Sequence, residues 1–219
     1  YAHWQKGKLG YAEESLPILQ RLTEKHPENA QFRKQYAEVL AGNEQLEEAI
    51  ATLQDALRYL NGNQAKERND ISIQIAEYHL ILHEKEKAKN LVSEMAKAAN
   101  PNTSDLYRLI SVLAFVDLTE KAEALLEALP PSGTMYEESA YAYAKAQIMR
   151  GKGEEAEAIE LLKKALQRNP YHTEARLGLV RLLRLGKHKH QAKQLVLDAQ
   201  QLPIPPSGKL EQTFQDLTK

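Results

Sequence analysis

Few residues of this 219-residue chain have the types and spacing that chemistry demands. His79 and His83 are four apart, so on a helix both imidazoles share one face, as in a zinc-binding helix. The residue after the first histidine is Leu80, where a metalloprotease motif needs glutamate, and no third ligand is evident. His188 and His190 alternate with Lys187 and Lys189, whose charge opposes a metal, so this run reads as a solvated turn. Gly151-Lys152-Gly153 has the residue types of a phosphate loop without its full spacing or a strand before it, and reads as a turn between helices. Glu154, Glu155 and Glu157 fall where a helix would open, and negative charge there complements the helix dipole. The absence of cysteine removes disulfides, thiolate metal sites and a cysteine nucleophile. Nothing pairs a nucleophile with a base and an orienting group. The expectation is a chain that is not an enzyme and calls for no metal or cofactor.

Composition narrows the elements that hold these residues. Apolar residues make up 42% and aromatics only 6%, which suits helices packed through Ala and Leu better than a β-sandwich. Twenty-nine basic and 30 acidic side chains leave a formal net charge of −1, which argues against a dedicated nucleic-acid surface. No run approaches the roughly 18 uninterrupted apolar residues of a membrane span. Cytoplasm and periplasm are both compatible with these features, and oligomeric state is left open. The chain opens on Tyr1 without a basic, apolar signal region.

Internal periodicity is the informative pattern. A small residue recurs within a short helix after a turn: Ser15, Ala49, Ala88, Ala122, Ala158 and Ala192, spaced by 34, 39, 34, 36 and 34 residues. Twelve residues before each lies His3, Ala37, Ala76, Ile110, Ala146 or Val180. Four after come Leu19, Leu53, Val92, Leu126, Leu162 and Val196, and seven after come Leu22, Ala56, Met95, Leu129, Ala165 and Ala199. Offsets of four and seven share a helical face, so small residues alternate there with Leu or Val, as close helix packing requires. Gly10, Gly42, Gly153 and Gly186 fall in or near the expected turns, Asp117 with Glu120 forms a candidate capping box, and Pro27, Pro101, Pro170 and Pro205 end units. The 39-residue step adds five residues around Asn61–Asp70, as a longer loop or an extended helix start, and the 36-residue step adds two near Pro130–Gly133.

On these residues the chain resembles a tetratricopeptide-repeat array. The fold expected is all-α, a right-handed α-solenoid of helix–turn–helix units at about 1–29, 30–68, 69–102, 103–138, 139–172 and 173–206. Ser139–His172 fits best, with Ala146, Gly153, Ala158, Leu162, Ala165 and Pro170 in place; Arg33 stands where the second unit's aromatic is usual. Tyr1–Gly7 is short for an opening helix, so the first unit reads as truncated and more chain is expected before Tyr1. After the PIPPSG stop, Leu210, Phe214 and Leu217 suggest a capping helix over 207–219.

The resemblance also implies a use: first helices line a groove that receives a peptide or protein partner. It selects Lys34, Glu38 and Ala41; Ile73, Glu77 and Leu80; Tyr107, Ser111 and Ala114; Tyr143, Gln147 and Arg150; Leu177, Arg181 and Arg184. Helical spacing itself says only that each triplet shares a face. Tyr107 and Tyr143 suit both packing between repeats and ligand contact. Glu38 and Glu77 stand where relatives that grip acidic chaperone tails carry asparagine, so that clamp is not expected. Acidic early positions and basic late ones instead suggest a segment whose acidic residues meet Arg150, Arg181 and Arg184. The reading favoured is a scaffold or adaptor. The alternative is an accessory domain of a larger enzyme or export or assembly machine whose other parts lie upstream; an RNA-reading repeat fits the balanced charge poorly.

Overall fold

In the computed structural model the described residues are 10–97, 103–129 and 133–202. They form eleven α-helices and no strand. The helices are α1 (Gly10–Lys25), α2 (Ala30–Gly42), α3 (Leu46–Tyr59), α4 (Ala65–Ile81), α5 (Lys85–Lys97), α6 (Thr103–Phe115), α7 (Thr119–Glu127), α8 (Met135–Gly151), α9 (Glu155–Arg168), α10 (Thr173–Leu185) and α11 (Lys189–Gln200). The stub with Trp4, Pro101, Pro205 and the expected capping helix lie outside the described residues.

The helices fall into two compact units, α1–α6 up to Val116 and α7–α11 from Asp117. Within each, the alternation of small and branched residues builds the core. Ala49, Ala88, Ala122, Ala158 and Ala192 are all fully buried, as are Ala37, Ala76, Ile110, Ala146 and Val180. In the first unit Ala37 and Leu40 of α2 pack with Ala49, Ile50, Leu53 and Ala56 of α3, and Ile71, Ile75 and Tyr78 of α4 continue the same cluster. Alanine lets two backbones approach, and the Leu or Val one turn away fills the space on either side. Each such Leu contributes about 1.5–3 kcal/mol by leaving water.

Helix starts follow from local hydrogen bonding. Asn29 caps α2 by accepting from the backbone N–H groups of Gln31 and Phe32, and Thr134 caps α8 by accepting from Glu137. Of the added stretch Asn61–Asp70, residues 61–64 form a turn and the rest extends the start of α4, which has 17 residues against 13 in α2. α8 is also 17 residues long, so α4 and α8 both begin one turn ahead of the boundaries read at 69 and 139. One expectation about turns is corrected. No capping box opens α7, whose N-cap is Leu118 without a side-chain bond; Asp117 instead turns the chain at φ 60°. Gly42, Gly153 and Gly186 lie in or beside the turns between paired helices, while Gly10 opens α1. Of these only Gly153 takes a left-handed φ; Glu44, His83, Asp117 and Lys187 hold that place in the other turns.

Candidate functional site

The five first helices α2, α4, α6, α8 and α10 carry the candidate positions, three in the unit before Asp117 and two in the unit after it. In the earlier unit the structure joins their charges to one another. Lys34 of α2 hydrogen-bonds Asp70 of α4, and the other Asp70 oxygen accepts from Arg108 Nη1 of α6 at 2.5 Å. Arg108 also grips Glu77 through two parallel bonds, Nε to Oε1 at 3.2 Å and Nη2 to Oε2 at 2.7 Å. Burial alone raises the Asp70 carboxyl, but the Lys34 hydrogen bond and the Arg108 and Lys34 charges outweigh it, and the net shift is downward. For Arg108, burial opposes the charge, yet Glu77 and Asp70 prevail and hold it firmly protonated. Burial pushes the Glu38 carboxyl above the ordinary range, with Asp70 adding to the effect and Lys34 opposing it. Behind this row Gln74 donates to the Tyr78 hydroxyl at 2.9 Å, and burial pushes that phenol up to about 12.

The apolar candidates of this unit face inward. Ile73 and Tyr107 are 0% and 2% exposed, and Ser111, 5% exposed, donates to the Tyr107 carbonyl at 2.8 Å. Ile73 and Ser111 are therefore corrected from the accessible face to the packing between helices, and Tyr107 takes the packing role, one of the two its position suited. Lys34 and Glu77 keep their places on the face but are engaged by Asp70 and Arg108, which the sequence reading did not single out. The available signal was opposite charge at neighbouring first-helix positions.

In the later unit α8 and α10 bring a different set together. Tyr143 is half-buried and meets the His172 ring edge-on, with centroids 4.9 Å apart. Gln147 is 3% exposed, so it too is corrected from an accessible position to the floor, where its Oε1 accepts from Arg150 Nη1 at 2.6 Å. Its Nε2 has no hydrogen-bond partner and lies 3.9 Å from where a Cβ on Gly178 of α10 would sit. Arg150's basicity is lowered by burial and by the neighbouring Arg181 charge, with Tyr143 and Glu155 partly opposing. Burial likewise lowers His172, which stays neutral near pH 7. Leu177 is half-buried, and Arg181 and Arg184 are exposed along α10.

The histidines and the glycine-rich turn have other roles. His79 Nδ1 lies 2.6 Å from Glu84 Oε2, and His83 is the left-handed turn residue after α4. Gly151 ends α8 and Lys152-Gly153 turn the chain toward α9, with Lys152 bonded to Glu123 at 2.5 Å. Among the described residues no group of three or more His, Cys, Asp or Glu side chains could hold a metal ion, and no helix is long and apolar enough to cross a membrane.

The tetratricopeptide-repeat family model matches residues 8–67 and 149–201, more than half of the chain. The chain belongs to the tetratricopeptide-repeat family. No curated protein matches it. Solved structures similar to this tetratricopeptide-repeat chain include the Cut9-Hcn1 hetero-tetramer of the APC/C, at TM-score 0.57 and 11% identity over 95% of this chain and 40% of that one. A tetratricopeptide repeat protein from Parabacteroides merdae aligns at TM-score 0.52 and 16% identity, over 95% of this chain and 83% of that one. YrrB, described as a TPR protein with an unusual peptide-binding site, aligns at TM-score 0.46 and 16% identity over 90% and 97%. These likenesses concern the fold.

Proposed function

We propose that this tetratricopeptide-repeat chain is a non-catalytic scaffold that holds a segment of a partner polypeptide, with the α8–α10 face as its principal contact. One observation carries the reading: the two units treat their charged positions differently. Before Asp117, Lys34, Asp70, Glu77 and Arg108 satisfy one another. On α10, Arg181 and Arg184 stay exposed. Between them and Tyr143 the half-buried Leu177 adds apolar surface. Aromatic and apolar contacts give such a face most of its affinity, and exposed charge sets orientation and encounter rate.

The test is site-specific cross-linking. A photoreactive residue at Leu177 or Arg184 should capture the partner, whereas one at Lys163 or Lys164, exposed on α9, should not. Arg181→Glu with Arg184→Glu should weaken the captured complex and flatten its salt dependence while the fold persists. Capture from α9 alone would place the partner on the second-helix face and overturn the reading.

A further inference from the structure

We infer that Asn61 is a self-modification site, where the backbone nitrogen of Gly62 displaces ammonia from the Asn61 side chain and a carboxylate is left in the turn between α3 and α4.

Asn61-Gly62 is the one Asn-Gly pair in the chain, and both residues are exposed, in a turn outside any helix. The Asn63 N–H donates to Asn61 Oδ1 at 3.1 Å, an Asx turn that folds the side chain back along its own main chain. One bond from the Gly62 nitrogen to Asn61 Cγ then closes a five-membered ring. Gly62 has no Cβ to crowd that attack, and its surroundings are open: no atom lies within 4 Å of where a Cβ would sit. The Asn63 N–H has a second effect. It draws charge from the amide carbon and is already aimed at the oxygen that becomes an oxyanion as the ring closes.

The other described asparagines are placed differently. The nitrogens after Asn69 and Asn90 lie inside helices, bonded to the carbonyl four residues back. After Asn43 the Glu44 N–H donates to the Ala41 carbonyl at 3.2 Å, and after Asn63 the Gln64 N–H donates to the Asn61 carbonyl at 3.1 Å. Asn29 is followed by the buried Ala30, and Asn169 by a proline, which has no N–H to lose.

The step balances with water alone. Hydroxide takes the Gly62 proton, the nitrogen bonds to Asn61 Cγ, and the oxyanion collapses as ammonia leaves with a proton from water. Water then opens the cyclic imide at either carbonyl. One opening gives an aspartyl residue; the other gives an isoaspartyl residue, whose main chain runs through Cβ. Besides the Gln64 bond, the turn is closed by Asn61 N–H to Gln64 Oε1 at 3.2 Å and by Arg68 Nη2 to the Leu60 carbonyl at 2.6 Å. The aspartyl form keeps these bonds. The isoaspartyl form adds a main-chain carbon inside the loop that they close, and so loosens the start of α4.

The experiment incubates the whole chain in neutral and mildly alkaline buffer. Conversion is followed by intact mass, by peptide mapping and by labelling with an isoaspartate-specific methyltransferase. Modification should begin at Asn61 and quicken with rising pH, and the folded chain should convert at least as fast as the chain unfolded in urea. Gly62→Ala, which the open turn accommodates, should slow conversion roughly tenfold or more, and Asn61→Gln should remove it. In the isoaspartyl fraction, hydrogen exchange at residues 65–68 should be faster than in the parent. A folded chain much slower than the unfolded one would overturn the site, as would conversion shared evenly with Asn43 or Asn63, or a Gly62→Ala rate equal to the parent's. Unchanged exchange in the isoaspartyl fraction would overturn the loosening of α4.

Discussion

Arg176 donates from Nη2 to the carbonyl of Pro170, six residues earlier, at 2.7 Å, and its Nη1 reaches the Leu195 carbonyl at 2.9 Å. Arg33 makes the same six-residue reach to Pro27 at 3.0 Å and adds Asp55 at 2.5 Å, with its guanidinium 4.9 Å from the centre of the Tyr59 ring. Both arginines stand sixteen residues before an anchor alanine, the position where the family usually has an aromatic. The long stem takes the aromatic's place, and the head reaches a carbonyl just past the preceding helix, at Pro27 or Pro170.

Arg176 is 5% exposed, so its loss should cost more than that of a surface arginine. Arg176→Met leaves the Pro170 carbonyl without its donor and removes the second bond to the Leu195 carbonyl within α11, and an unmet buried group costs about 1–3 kcal/mol. Urea denaturation should show a loss of roughly 2–4 kcal/mol. A variant as stable as the parent would mean that water replaces both bonds.

The left-handed turn residues give a second stability test. Glu44 and Lys187 adopt φ 65° and 64°, a conformation that costs a non-glycine residue about 1–2 kcal/mol. Glycine removes that strain but loses more entropy on folding, so Glu44→Gly and Lys187→Gly should each stabilise by roughly 0.5–1 kcal/mol. Gly153→Ala should do the reverse by about 1 kcal/mol, since no atom lies within 4 Å of the added Cβ and only the backbone at φ 80° resists. Melting temperatures that move in the opposite directions would contradict this.

Ala158 is fully buried on α9. Ala158→Trp should force α8 and α9 apart at a cost of about 1–3 kcal/mol or more. Thermal stability equal to that of the parent would show that this contact can open freely.

The ion network predicts a pH response with a definite sign. Asp70 has a folded pKa below its unfolded value near about 3.9, so its share of stability is complete above that value and is lost as pH falls through the lower folded one. Arg108→Met removes one of the cations that hold it down. The Asp70 titration should then move up toward its unfolded value, and the share of stability that Asp70 loses on acidification should shrink. Glu38 runs the other way: its raised folded pKa means that its ionisation weakens the fold as pH climbs through that range. Carboxyl-carbon NMR of both residues checks this, and an Asp70 midpoint that stays put in Arg108→Met would sink it.

The repeat, its anchor alanines and their buried or half-buried partners at offsets of four and seven were legible in the chain alone. Helix packing depends on which residue sizes recur along one face, and that periodicity is local. Access to the candidate face was not legible, because it depends on how near neighbouring helices and side chains come. Tyr107 and Tyr143 hold the same place in their repeats, yet one is buried in the earlier unit and the other is half-open in the later one. Lys34 and Glu77 looked like free charges until Asp70 and Arg108, 36 and 31 residues away in sequence, were placed against them. Gln147 looked like a contact on the open face until α8 and α10 closed around its side chain. Side-chain identity and spacing determine the face a residue occupies; only the distances between helices decide whether that residue meets a neighbour or is left for a ligand.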